Sequence, residues 1–96
     1  RSGPFCLNVR NHTLEKSGQR IGLTQVEFSI MRHFMSHPQT AVTREDLLRE
    51  VWGEDYYGDV KIVDVNIRRL RMKVEDDTAE PRYITTVRGV GYKWEE

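Results

Sequence analysis

The sequence predicts an α+β fold: a small antiparallel sheet, then three helices, then a β-hairpin. Three observations predict it. Short strand-forming runs separated by turn pairs fill residues 5–23. Three later stretches carry apolar residues at helical spacing, each behind its own start signal. The chain closes on two strand-like runs around Arg88-Gly89-Val90-Gly91. A length of 96 residues suits one domain with a modest core, and 38% apolar with 31% charged residues is the balance of a folded protein.

Taken in order, Phe5-Cys6-Leu7-Asn8-Val9 alternates and runs into the turn pair Asn11-His12. Thr13-Leu14-Glu15-Lys16 is a second strand, Ser17-Gly18-Gln19 a turn, and Arg20-Ile21-Gly22-Leu23 leads out of it. Thr24 and Glu27 then stand at capping-box spacing, and Leu23 with Phe28 at staple spacing. The buried stripe of this first helix is expected at Phe28, Met31 and Met35, flanked by Leu23 and Phe34, and Pro38 ends the helix near His37. Thr43 opens a second helix with Asp46 at its third position and Leu47, Leu48 and Val51 on its apolar face. That helix stops at Gly53, ahead of an acidic and aromatic loop, Gly53-Glu54-Asp55-Tyr56-Tyr57-Gly58-Asp59. Asp59 is the expected N-cap of the third helix. Asp76 to Pro81 breaks the helical pattern, after which Tyr83-Ile84-Thr85-Thr86-Val87 and Tyr92-Lys93-Trp94 form the hairpin.

The third helix, 60–75, organises the rest. Val63, Ile67, Leu70 and Val74 recur at i, i+4, i+7, i+11 and form one stripe, while Lys61, Val65, Arg68, Arg69 and Met72 lie opposite. Lys61, Arg68, Arg69, Arg71 and Lys73 give it a nearly one-signed charge, relieved before Glu75 only by Asp64. The preceding segment is the reverse, with Arg44 and Arg49 against Glu45, Asp46, Glu50, Glu54, Asp55 and Asp59. A formal net charge of zero therefore hides an acidic block beside a basic one. A basic face that only solvates a helix is the plainer reading. Against it, solvated faces usually mix Glu with Lys at i, i+4, and this one sets Ile62, Val65 and Met72 among its cations. Apolar groups beside Arg suit a DNA groove, which offers thymine methyls as well as acceptors. Asp64, four residues before Arg68, has the spacing of an i, i+4 pair that would orient that guanidinium; a weak surface pair is the alternative.

Strands, three helices and a hairpin in that order suggest a winged helix-turn-helix: the third helix in the major groove, and the Arg88 turn as a wing beside it, able to probe the minor groove. Three motifs then carry a family resemblance: Thr43-Arg44-Glu45-Asp46-Leu47-Leu48 with Val51-Trp52-Gly53, Val63 to Lys73, and Val87-Arg88-Gly89-Val90-Gly91-Tyr92. In order and spacing they resemble the DNA-binding domain of OmpR/PhoB-type response regulators, and Gly58-Asp59-Val60 with Glu75-Asp76-Asp77 is most similar to the WalR/VicR-like branch. The resemblance implies a transcription-regulating output domain, placed behind a receiver domain that a sensor histidine kinase phosphorylates. It implies base reading by Arg69, with Ile62 and Val65 near the bases, and Arg88 in the minor groove. Trp52, Lys61, Arg68, Arg71, Thr86 and Tyr92 are implied on phosphates, and Glu54 and Asp55 in a loop that meets RNA polymerase. It further implies head-to-tail homodimers on direct repeats of double-stranded DNA. One departure is Ile62, where many members carry Thr.

Other classes fit less well. His12, His33 and His37 have no zinc-ligand spacing among themselves or with Cys6, and no Gly-rich phosphate loop follows a strand. No cofactor, metal or enzymatic activity is expected. A winged helix that binds protein instead of DNA is the remaining alternative. A single cysteine allows no internal disulfide and favours a reducing, cytoplasmic setting. No apolar run approaches bilayer-spanning length. A start at Arg1 instead of Met suggests a piece of a longer chain, with residues 1–4 as linker or appended remnant and 5–96 as the domain.

Overall fold

The computed structural model describes residues 2–96. The elements are β1 (Phe5–Asn8), β2 (Thr13–Lys16), β3 (Gln19–Ile21), α1 (Gln25–Ser36), β4 (Ala41–Thr43), α2 (Arg44–Trp52), α3 (Lys61–Val74), β5 (Ile84–Val87) and β6 (Gly91–Trp94). β1, β2 and β3 form the expected antiparallel meander, with Phe5 opposite Lys16 and Leu14 opposite Ile21.

α1 begins on the capping box. Thr24 Oγ1 accepts the Glu27 backbone N–H at 3.1 Å, and Glu27 Oε1 accepts that of Thr24 at 2.9 Å. The same Oε1 accepts from Lys73 Nζ of α3 at 2.5 Å, so a local capping signal is also a tertiary ion pair. The buried face of α1 is Phe28, Ile30, Met31 and Phe34, with Met35 only half-buried. Ile30 thus joins the expected stripe, and Met35 lies at its edge. α1 packs on α2, α3 and β6 together, and so buries a wider arc than one stripe.

Glu27 is 2% exposed. Burial pushes its carboxyl up, but the Lys73 ammonium and the Thr24 cap outweigh this and hold its pKa below the ordinary 4.5. A carboxylate lowered in this way stabilises the fold above the unfolded-state value and loses that contribution as pH falls through its folded-state value. Lys73→Met leaves the burial without its main counterweight, so acid destabilisation should begin at higher pH than in the wild type. Urea unfolding followed between about pH 3 and 7 checks this; superimposable acid limbs would contradict it.

β4, only three residues long, carries too little alternation to be read from the sequence. It pairs antiparallel with β6, with Val42 opposite Tyr92 and Thr43 opposite Gly91, and it turns the expected hairpin into a three-stranded sheet of order β4-β6-β5. Gly91 permits the approach, since a Cβ there would stand 2.2 Å from the Val42 carbonyl oxygen. Thr43 ends β4 and caps α2, accepting the Asp46 N–H at 3.0 Å, and Gly53 at φ 96° closes α2.

α3 buries Val63, Ile67, Leu70 and Val74 as the spacing predicts. The residue flanking it is Val60, already helical at φ −61°, ψ −18°, while the Asp59 carboxylate one position earlier accepts the Lys61 N–H at 2.9 Å. At its far end Glu75 is buried and takes the backbone N–H groups of Arg82, Tyr83 and Ile84, which steers the chain into β5. Lys16 Nζ reaches from β2 to the Val74 carbonyl and to Asp76. The sheets and helices meet at Trp94, which contacts Phe5, Phe34 and Tyr83 and donates its indole N–H to Ser2 Oγ at 2.9 Å.

Candidate nucleic-acid interface

α2 and α3, joined by the loop after Gly53, form the helix-turn-helix. Burial of the Val63–Val74 stripe turns the other side of α3 outward: Lys61, Val65, Arg68, Arg69 and Met72 are exposed, and Ile62 is half-buried. Val65 is 47% and Met72 69% exposed, so apolar surface does lie among the cations. Arg88 is exposed at the β5–β6 turn. That turn lies beside α3, because Gly89, Val90 and Gly91 line one cleft with Asp64 and Arg44.

The cationic face is shorter than the sequence suggests. Lys73 is tied to Glu27. Arg71 turns onto the wing, its Nε donating to the Ile84 carbonyl at 3.0 Å, its Nη2 to Thr86 Oγ1 at 2.9 Å, and its guanidinium lying 5.4 Å from the Tyr92 ring centre. An Arg carries five N–H donors, so Arg71 keeps others for a phosphate, and Thr86 keeps its own hydroxyl proton. Among the described residues, Lys61, Arg68, Arg69 and Arg88 take part in no ion pair.

Asp64 does not pair with Arg68. Its Oδ2 accepts from Arg44 Nη2 at 2.7 Å and its Oδ1 from the Tyr92 hydroxyl at 2.5 Å. The i, i+4 geometry was available, but a cation from α2 and a phenol from β6 reach the same carboxylate from packed neighbours. Burial, then the bond to Asp64, push the Tyr92 hydroxyl up to about 12. It is thus a protonated donor at neutral pH, and its single proton is given to Asp64. No local pattern links Arg44 to Asp64, 20 positions away, so the sequence alone does not single Arg44 out.

Trp52, the last residue of α2, is half-buried with its ring 6.2 Å from Tyr56 of the loop, where Glu54 and Asp55 are exposed and Tyr57 is 92% exposed. The histidines are less scattered than their spacing implies. His12, His33 and His37 border one cleft along α1, with the His33 and His37 rings 4.5 Å apart and His12 stacked on Phe28. Burial, with the charge of His37, holds the His33 pKa below 6.5. Among the described residues no group of three or more His, Cys, Asp or Glu is placed to hold a metal, and no helix is long and apolar enough to cross a membrane.

Residues 18–94 match the family model described as "Transcriptional regulatory protein, C terminal". Among solved structures, the chain is similar to the response regulator DrrB of Thermotoga maritima, an OmpR/PhoB homolog, with 34% identity and a TM-score of 0.91 over 100% of this chain and 43% of that one. It is similar to the DNA-binding domain of Klebsiella pneumoniae RstA in complex with the RstA box, with 31% identity and a TM-score of 0.88 over 97% of this chain and 92% of that one. It also resembles the DNA-binding domain of Bacillus subtilis CssR, with 32% identity and a TM-score of 0.81 over 94% and 98% of the two chains. This chain thus spans less than half of DrrB but nearly all of the two isolated domains.

Proposed function

The chain belongs to the transcriptional regulatory protein C-terminal family, the DNA-binding output domain of OmpR/PhoB-type response regulators, and from that premise we propose sequence-specific reading of double-stranded DNA. α3 enters the major groove, and the Arg88 turn enters the adjoining minor groove. The observation that carries this reading is the outward face of α3: Arg68, Arg69 and Lys61 exposed and unpaired among the described residues, with the wing turn beside the same helix.

Arg69 reads a base edge, since its planar fork matches guanine O6 and N7. Val65 and Ile62 offer apolar contact beside it, and Ile62 brings no hydroxyl to a phosphate. Lys61 at the first turn adds its charge to the positive helix end. Arg68, Arg71, Thr86, Tyr92 and Trp52 serve the backbone, with Tyr92 having to share or surrender its bond to Asp64. In the full-length protein a phosphorylated receiver domain precedes this one, and two copies sit head to tail on direct repeats.

Duplexes selected from a random pool, compared with scrambled ones, test the reading. Arg69→Ala should cost about 1–3 kcal/mol, concentrated at one base pair. Arg88→Ala should lose affinity mainly at flanking positions where the minor groove is narrow. Equal affinity of both variants for selected and scrambled duplexes would overturn the proposal. Binding should also fall steeply with salt as phosphate contacts release counterions; a flat response would favour the protein-binding alternative.

The exposed Glu54-Asp55 loop is the surface we assign to RNA polymerase. Glu54→Ala with Asp55→Ala should abolish activated transcription from a target promoter and leave DNA affinity unchanged. Full activation by the double variant would remove that assignment.

A further inference from the structure

α3 grips the wing sheet at two points about two turns apart along the helix. Near its start, Asp64 divides its carboxylate between the Tyr92 hydroxyl, at 2.5 Å, and Arg44 Nη2 at the head of α2, at 2.7 Å. Seven residues on, Arg71 holds β5 through the Ile84 carbonyl and Thr86 Oγ1 and covers the Tyr92 ring. Tyr92 is the middle of this arrangement, with Val42 of β4 on one side in register and Thr86 of β5 on the other. Arg44 and Asp64 are both half-buried, and one carboxylate links α2, α3 and the strand that runs out of the wing turn.

We propose that Asp64 is a positioning residue for DNA recognition: by holding Tyr92 and Arg44 at once, it fixes the angle of the wing to α3 and so makes the Arg88 contact dependent on how α3 is seated. This rests on the DNA-binding reading above. Without Asp64, Arg71 is the remaining side-chain tie from α3 to the wing strands, and the β4–β6 ladder and the core hold the base of the sheet while its turn end gains freedom relative to α3. Arg88 would then reach the minor groove only in part of the population, and its contact would weaken without any change in Arg88 itself. Arg69 stands on α3 and would not be affected by that freedom.

The test is a set of three double-mutant cycles on the 96-residue chain with a duplex selected by the wild type, read as Kd at fixed salt. Asp64→Asn is combined with Arg88→Ala and, separately, with Arg69→Ala. The expected result is that Arg88→Ala costs about three- to tenfold less in the Asp64→Asn background than in the wild type, as groups in one network couple, while the cost of Arg69→Ala is the same in both. Tyr92→Phe, which removes one oxygen and leaves the Arg44–Asp64 pair, should reproduce that coupling to Arg88. It guards against an unfolded Asp64→Asn, and far-ultraviolet circular dichroism checks both variants. Were the Tyr92 hydroxyl serving only a phosphate, its loss would simply add to that of Arg88. Additive costs in all three cycles would overturn the proposal while the single losses at Arg69 and Arg88 left the DNA-binding reading standing. No loss from either single variant would instead overturn the DNA-binding reading and this inference with it.

Discussion

Trp94→Ala should cost the domain about 3–5 kcal/mol of folding stability. Trp94 is fully buried, and its ring lies 5.2 Å from Phe5 of the first sheet, 6.5 Å from Phe34 of α1 and 5.9 Å from Tyr83 ahead of β5, by ring centres. Removing it opens a cavity where three layers meet, and none of them can collapse into it without leaving the other two. It also strips the indole donor from Ser2 Oγ. Trp94→Phe should fall between, since it keeps an aromatic ring but loses the donor and part of the volume. At about 4–8 °C per kcal/mol for a domain of this size, the alanine variant should melt well over 10 °C lower. A loss under about 1 kcal/mol would mean that this junction repacks and is not the keystone of the core.

Glu75→Ala should cost a comparable amount, roughly 3–5 kcal/mol, for a different reason. The Glu75 carboxylate ends α3 and accepts three consecutive backbone N–H groups, from Arg82 at 2.7 Å, Tyr83 at 3.0 Å and Ile84 at 2.7 Å. Tyr83 and Ile84 are buried, so water cannot readily replace the lost acceptor. Glu75→Gln keeps one oxygen and sets an N–H₂ against the remaining donors, and should be milder than alanine. Hydrogen exchange gives the sharper check. In Glu75→Ala the amides of 82–84 should lose protection before those of α1, because they open with the start of β5. Unchanged protection there, or a denaturant midpoint equal to the wild type, would show that the return into the wing sheet is held by the strand ladder alone.

Much of this architecture was readable from local chemistry. The capping box at Thr24, the cap at Thr43, the stop at Gly53 and the buried stripe Val63–Ile67–Leu70–Val74 are each set by residues within one or two turns of one another, and each is present. So was the outward placement of Arg68, Arg69 and Lys61, which follows from burying the opposite stripe. Periodicity could not say which cations the fold would use internally. Lys73 and Arg71 looked like continuations of the basic face, and one is tied to Glu27, 46 residues away, while the other reaches the wing. Asp64 had a plausible partner one turn ahead and took two others, from α2 and β6.

The residue pattern by itself determined the three helices, the buried stripe of α3, the meander and the terminal hairpin, because caps, turns and amphipathic periods are short-range properties. Only the tertiary structure decided the third strand of the wing sheet, the partners of Asp64, Arg71 and Lys73, and hence the angle at which the wing meets α3. Those depend on groups far apart in the chain, and a charged side chain goes to whichever partner packing brings within hydrogen-bond reach.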